Sequence, residues 1–441
     1  MIQIPIEDIK IEEKSKKPIL ELKEYDEKEF LIGRIKEYSE NDVKLSEFLT
    51  NKIKIIPTQK GIWANAGSYI GSAEFEEFII QVIPKFSEIE KLPLLIDYAW
   101  EIEDKDIVET ELRFQSDRNF PVECLIRSLV NQCQKLMKIG LSKSYVNVED
   151  NLPYLRGRLL LAQQINNDAR MNLKFGCEYD EFSSNIIENQ IILFILEKSY
   201  NITQNDDTKQ QIQKLIHEFD MEVNYKIIES RNFEIYYDRY NSHYEKIHLV
   251  CKLIFEELGV SDFYKYNTSY IFPVFIDMAR LFEKYVVRLL SDYSDDKMYD
   301  IKSQPKTGSI AWKTMEMVDE KNKRIEPDII IYSKKPRREV AIIADVKYME
   351  SRKFGESQLY QIGFYLHEHR KQMGFALIPD SDKSIEIKWE SINQNISIHL
   401  KKIPVDEILD IIYSRNINRD EKIKDMLQKK IPIFNPSIID K

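Results

Sequence analysis

Apolar and polar positions along this 441-residue chain change period several times, and each change marks a different kind of element. Ile2, Ile4 and Ile6 alternate with polar residues, residues 52–56 (KIKII) alternate ahead of Pro57, and residues 61–86 hold glycine-punctuated apolar runs ending at Pro84. Period two with glycine and proline breaks predicts a small twisted sheet over residues 1 to about 90. The pattern turns helical over residues 92–100, and residues 122–139 carry Leu125, Leu129, Cys133 and Leu136 at helical spacing.

Residues 151–259 read as mainly helical, with two stretches that break the pattern. One is LRGRLL at 155–160. The other is FGCEYDEFSSNIIENQIILFIL at 175–196, whose polar opening gives way to an apolar run that Ser183 or Ser184 is placed to cap. Residues 236–259 predict a long helix with Tyr244, Leu249, Ile254 and Leu258 inside.

The last third repeats the contrast over a shorter span. Phe275, Met278, Phe282, Val286 and Leu289 predict an amphipathic helix over 275–293, with Glu283 on a largely apolar face. Such a carboxylate needs a partner, either Arg280 one turn away or a metal site. Residues 329–332 and 340–343 are short β-branched runs joined by a polar connection, the signature of a hairpin. Residues 357–370 predict a second helix, with Leu359, Ile362 and Leu366 on one stripe and Gln358, Gln361 and Tyr365 on another.

Candidate chemistry lies at the ends of the hairpin. Asp328, after Pro327, opens the first strand, while Asp345 and Lys347 close the second, two residues apart and so on one face. Two carboxylates and an ammonium therefore converge at one end of a sheet. Carboxylate oxygens suit Mg²⁺, which keeps positions open for water and phosphate oxygens. A lysine beside it can orient or deprotonate a water and offset charge on a phosphate. Taken singly, each residue is an ordinary solvated strand end; their order and context are what single them out.

That order, Glu on a helix, Pro-Asp on a strand, Asp-x-Lys on the next and Gln-x-x-x-Tyr on a helix, resembles the PD-(D/E)XK nuclease superfamily. The Gln361 to Tyr365 spacing is similar to that of its RecB-type members. The resemblance implies that Asp328, Asp345 and the Val346 carbonyl bind the metal, that Lys347 assists the water, and that Glu283 and Gln361 complete the site.

Composition narrows the rest. With 43% hydrophobic and 31% charged residues the chain has the makeup of a globular protein, long enough for two or three domains. A net charge of −10 argues against gripping DNA by a broad basic surface, although Lys334, Lys335, Arg337 and Arg338 form a basic loop beside the proposed site. Cys124, Cys133, Cys177 and Cys251 lack CxxC spacing and read as buried thiols, and the six histidines are too scattered to be zinc ligands. No P-loop, apolar membrane span or signal-peptide pattern is found, so the expectation is a cytoplasmic protein without membrane contact or an NTPase site of its own.

The nuclease pattern joins a second set of residues: Tyr69-Ile70-Gly71 to Ile83-Pro84-Lys85, the segment 94–98, Gly157-Arg158, Cys177 to Glu181 with Asn189, and Phe282-Glu283. Together they resemble the McrC family, the nuclease subunits of modification-dependent restriction systems, with relatives in LlaJI-type systems. The resemblance spans about residues 60–380 and leaves residues 403–441 as an extension. It implies an α/β fold in which a PD-(D/E)XK restriction-endonuclease-like C-terminal domain (261–441) follows a β-rich region (1–120) and a mainly helical, partner-binding region (121–260).

It further implies Mg²⁺-dependent cleavage of double-stranded DNA, with Mn²⁺ as a substitute metal. GTP enters only through an McrB-like AAA+ GTPase partner that recognises DNA and translocates. Arg156, Arg158 and Arg170 are candidates for reaching that partner's nucleotide, each against the plainer reading of a surface salt bridge. Two alternatives stay open: a stand-alone nuclease of the same superfamily in repair or recombination, and an inactive structural activator of an AAA+ partner.

Overall fold

In the computed structural model the two β-branched runs of the last third pair as an antiparallel hairpin, Ile329–Ser333 with Glu339–Val346. Ile330 stands opposite Ile343 and Ile331 opposite Ile342, and all four are buried. The register shifts between Ile331 and Tyr332, a bulge near the loop end. The structure describes residues 10–11, 17–31, 39–100, 102, 120–203, 205–257, 274–295, 297–303, 310–312, 323–324, 327–334, 338–380, 387–391, 395–414 and 418–430. The alternation at Ile2, Ile4 and Ile6, the end of the predicted 236–259 helix, and Lys335 and Arg337 lie outside the described residues.

The hairpin is the centre of a six-stranded sheet in the order Tyr299–Ser303, Ile329–Ser333, Glu339–Val346, Met373–Pro379, Ser397–Ile403, Lys388–Glu390. Glu339–Val346 runs parallel to Met373–Pro379, and the crossover between them is the helix Glu356–Glu368, which packs on both strands. Buried on both faces, the central strands are continuous apolar runs rather than alternating ones.

The chain forms two compact units, residues 1–118 with 275–441, and residues 119–274. The first unit holds a second sheet, ordered Lys10–Ile11, Pro18–Lys23, Ile79–Ile83, Tyr69–Glu74, Val274–Asp277. A three-stranded sheet beside it has Ile62–Ala66 at its centre. Leu20, Ile55, Ile62, Phe75, Phe78, Ile80 and Phe275 share one core between them. Where one small sheet was expected the strands divide between these two sheets, with a helix, Glu40–Leu49, that the alternation did not announce; Ser39 caps it by accepting the Asp42 N–H at 3.1 Å.

In the second unit, helices Phe120–Ile139, Ile187–Ile202, Asp206–Asp220 and Glu245–Glu257 pack together. The stretches that broke helical pattern form a sheet: Ser144–Leu152 pairs along its length with Phe175–Ser183, and Arg158–Leu159 adds to the far side. Gly157 turns the chain there with φ +67°, and a Cβ would lie 2.3 Å from the Glu178 carbonyl, so only glycine fits.

Three local expectations change. The residue preceding the Ile187–Ile202 helix is Ile186; Ser184 instead donates to Glu222 Oε2 at 2.8 Å, and Ser183 accepts the Asn185 N–H at 3.1 Å. The helix expected from 236 begins only at Glu245, after a 3-10 turn at Ser242–Tyr244, because Asp238 and Asn241 close a polar turn in which Asp238 Oδ1 accepts the Tyr240 N–H at 2.7 Å. Residues 275–277 belong to a strand, and Asp277 caps the helix Met278–Tyr293.

Candidate active site

Asp328 stands just before its strand and Asp345 near the end of the neighbouring antiparallel strand, so chain direction alone brings them to one edge of the sheet. Asp328 Oδ2 accepts the Val346 N–H at 2.8 Å. Lys347 Nζ lies 2.8 Å from Asp345 Oδ2 and 3.9 Å from Asp328 Oδ2, bridging the two carboxylates. The Lys347 N–H donates to the Leu377 carbonyl at 2.9 Å, extending the parallel ladder by one residue past the strand.

Asp345 is fully buried, and its Oδ1 has no hydrogen-bond donor among the described residues. Burial pushes its carboxyl up to about 7, and the nearby Asp328 charge pushes the same way against Lys347. Burial opposes the Lys347 ammonium, but the two carboxylates outweigh it and raise its pKa. The raised pKa favours the charged ammonium over the neutral amine.

A buried carboxylate with an unmet oxygen, beside a second carboxylate, suits a hard divalent cation. Among the described residues, no three His, Cys, Asp or Glu side chains converge as a metal site, so the arrangement is a pair of carboxylates plus the strand itself.

The flanking helices supply the remaining expected residues. Gln361 is exposed, and its Nε2 donates to the Tyr365 hydroxyl at 2.8 Å. Burial raises the Tyr365 phenol, and the Asp345 and Asp328 charges add to that, which places the phenol within electrostatic reach of the pair. Glu283 is half-buried on the Met278–Tyr293 helix, which packs on the Asp345 strand, but it does not join the carboxylate pair in a three-carboxylate cluster. The basic stretch does not stand beside the site as expected: Lys334 and Arg338 flank the turn end of the hairpin, where Ser333 pairs with Glu339, opposite the end that holds Asp328 and Asp345, and Arg338 is taken up there by Asp300 at 2.8 Å and lies over the Tyr332 ring.

The arginines of the second unit differ in their commitments. Arg158 is paired with Glu178. Arg156 stacks on the Tyr179 ring, 4.0 Å from its centroid, and reaches Glu181 at 4.0 Å. Arg170 ends the helix Leu161–Ala169 and is exposed. The four cysteines are free and buried. His248 is held between the Tyr237 hydroxyl and the Glu188 carbonyl, each at 2.9 Å, and burial lowers it to about 4.

Sequence reasoning passed over Glu24 and Tyr348, which meet next to the site. Tyr348 was visible only as the residue alternating with Lys347, and nothing local tied Glu24 to it.

A family model described as the McrBC 5-methylcytosine restriction system component matches residues 64–378. The chain belongs to the McrBC family. The match takes in the strands Tyr69–Glu74 and Ile79–Ile83 of the N-terminal sheet and the carboxylate pair. Among solved structures, the chain is similar to one from the refined half-complex of a tetradecameric assembly of Thermococcus gammatolerans McrB AAA+ hexamers with bound McrC. That similarity has a TM-score of 0.58 at 17% identity, covering 93% of this chain and 99% of the other, and it shows a shared fold. A chain of the cryo-EM structure of the Thermococcus gammatolerans McrBC complex aligns at a TM-score of 0.41 and 19% identity, over 62% of this chain and 87% of that one. No curated relative matches the chain. Among the described residues, no helix is long and apolar enough to cross a membrane.

Proposed function

We propose that this McrBC-family chain is the DNA-cutting subunit of its restriction system, a PD-(D/E)XK-type nuclease that hydrolyses phosphodiester bonds in double-stranded DNA carrying 5-methylcytosine. The observation that carries the reading is the convergence of Asp328, Asp345 and Lys347, with a buried carboxylate oxygen that no donor among the described residues satisfies. Asp328, Asp345 and the Val346 carbonyl would hold Mg²⁺, or Mn²⁺ in its place. When bound, the ion lowers the pKa of water and stabilises charge on the phosphate. Lys347 donates to the attacking water or the phosphate, and the carboxylate pair fixes where that ammonium stands. Gln361 and Tyr365 add neutral donors beside the pair.

A partner fits the charge and the surface. The net charge of −10 leaves DNA grip to another subunit, and the similar structure is of McrC bound to McrB AAA+ hexamers. In the second unit, Tyr154, Leu155, Leu161, Met171 and Leu173 are exposed, more apolar surface than a solitary unit needs to show. We take this unit to dock on an McrB-like AAA+ GTPase and to stimulate it.

The test is reconstitution with such a GTPase on methylated and unmethylated plasmid, with GTP and Mg²⁺ each added or withheld. Cleavage that needs the partner, GTP, Mg²⁺ and methylation together is the expected result. Equal cleavage by this chain alone would replace it with a stand-alone nuclease.

A further inference from the structure

Asp345 and Lys347 face the site, so strand alternation sends Val346 and Tyr348 to the opposite side. There Tyr348 is buried, its ring 4.7 Å from that of Phe86, 5.7 Å from Phe282 and 6.4 Å from Tyr25, centroid to centroid. Its hydroxyl donates at 2.9 Å to Oε2 of Glu24, a fully buried carboxylate 324 residues earlier in the chain. The Lys85 N–H donates to the same oxygen at 2.9 Å, and the Glu24 N–H is bound to the Ile83 carbonyl at 3.2 Å. Two residues further on, Glu350 pairs with Lys85 Nζ at 3.0 Å, and that ammonium also holds Asp26 at 2.8 Å.

Lys347 is thus bracketed. Its own N–H is fixed to Leu377 in the parallel strand, and the residues at 348 and 350 are fixed to the N-terminal sheet. Tyr348→Phe keeps the aromatic packing and removes only one of the two donors to Glu24 Oε2, leaving the Lys85 N–H to satisfy that oxygen. What the hydrogen bond adds is direction.

We propose that Tyr348 and Glu24 are positioning residues for the Asp345 and Lys347 end of the strand, tying the geometry of the cutting site to the N-terminal sheet. The proposal rests on the nuclease reading above.

The test compares wild type with Tyr348→Phe, Glu24→Leu, Glu24→Gln and Asp345→Ala in full-length chains. Single-turnover cleavage at saturating DNA is measured with the GTPase partner, Mn²⁺ binding by calorimetry without it, and thermal melting throughout. Tyr348→Phe and Glu24→Leu are expected to lose roughly 10–100-fold in cleavage rate and Mn²⁺ affinity, at unchanged KM for DNA and unchanged partner GTP turnover. Glu24→Gln keeps a carbonyl acceptor for both donors and should retain wild-type values.

Wild-type cleavage and Mn²⁺ binding in Tyr348→Phe, with Asp345→Ala inactive, would overturn the positioning role and leave the nuclease reading standing. Cleavage by Asp345→Ala would overturn the nuclease reading and this proposal with it. Melting that falls in step with activity in Tyr348→Phe and Glu24→Leu would reduce the pair to support of the fold and also overturn it.

Discussion

Asp328 Oδ2 accepts the backbone N–H of Val346 at 2.8 Å, so one candidate metal ligand also closes the open end of the hairpin that carries the other. The two jobs separate chemically. An amide oxygen still accepts the N–H, but an uncharged side chain binds a divalent cation poorly. Asp328→Asn is therefore expected to melt like wild type and to lose at least about a hundredfold in cleavage rate. Circular dichroism melts and single-turnover cleavage check this; early melting would show that the carboxylate charge is structural.

Glu24 makes stability pH-dependent. Burial pushes its carboxyl from the ordinary 4.5 up to about 8, with the Asp277 charge adding to the rise and the Lys85 and Tyr348 contacts opposing it. The unfolded chain releases this proton near pH 4.5, whereas the folded protein holds it until about pH 8. Its contribution to stability is then full below pH 4.5 and lost as pH rises through 8. Glu24→Gln has no such proton, so its melting temperature relative to wild type should climb between pH 5 and pH 9. A pH-independent difference would contradict the burial argument.

Glycine substitutions separate strain from propensity. Gly157→Ala places a Cβ 2.3 Å from the Glu178 carbonyl at φ +67° and should destabilise by at least ~1–2 kcal/mol. Gly363→Ala lies within the helix Glu356–Glu368, with nothing within 4 Å of the new methyl, and should stabilise by ~0.5–1 kcal/mol. Urea midpoints of the two variants should move in opposite directions.

The three candidate arginines of the second unit, Arg156, Arg158 and Arg170, rank by their existing commitments. Arg170 is exposed, whereas Arg158 is paired with Glu178 and Arg156 stacks on Tyr179. Arg170→Ala is expected to lower the partner's GTP turnover by roughly tenfold or more with unchanged melting, and Arg158→Ala to change it least. Steady-state GTPase assays with purified partner decide the order; equal losses in all three would point to general docking.

The hairpin and the helix Glu356–Glu368 were legible because their residues carry strong local signals: β-branched runs at 329–332 and 340–343, and helical stripes through Ile362 and Tyr365. Asp328, Asp345 and Lys347 followed directly, since strand direction and alternation determine which end and which face they occupy. What stayed hidden was non-local or masked by mixed composition. Pro18–Lys23 pairs in parallel with Ile79–Ile83 across some sixty residues, and Glu24 meets Tyr348 across 324. The start of the Met278–Tyr293 helix was readable in retrospect from Asp277, an N-cap that the apolar residues before it obscured.

The measurement that bears most directly on the central claim is plasmid cleavage by Asp345→Asn, assembled with the GTPase partner, GTP and Mg²⁺. The side chain keeps its shape in a fully buried position but loses the charge that a cation needs. The expected result is loss of cleavage with GTP hydrolysis retained, placing the chemistry at this carboxylate and the motor elsewhere. Wild-type cleavage by Asp345→Asn would contradict the account, because the cutting centre would then lie outside the Asp328, Asp345 and Lys347 site.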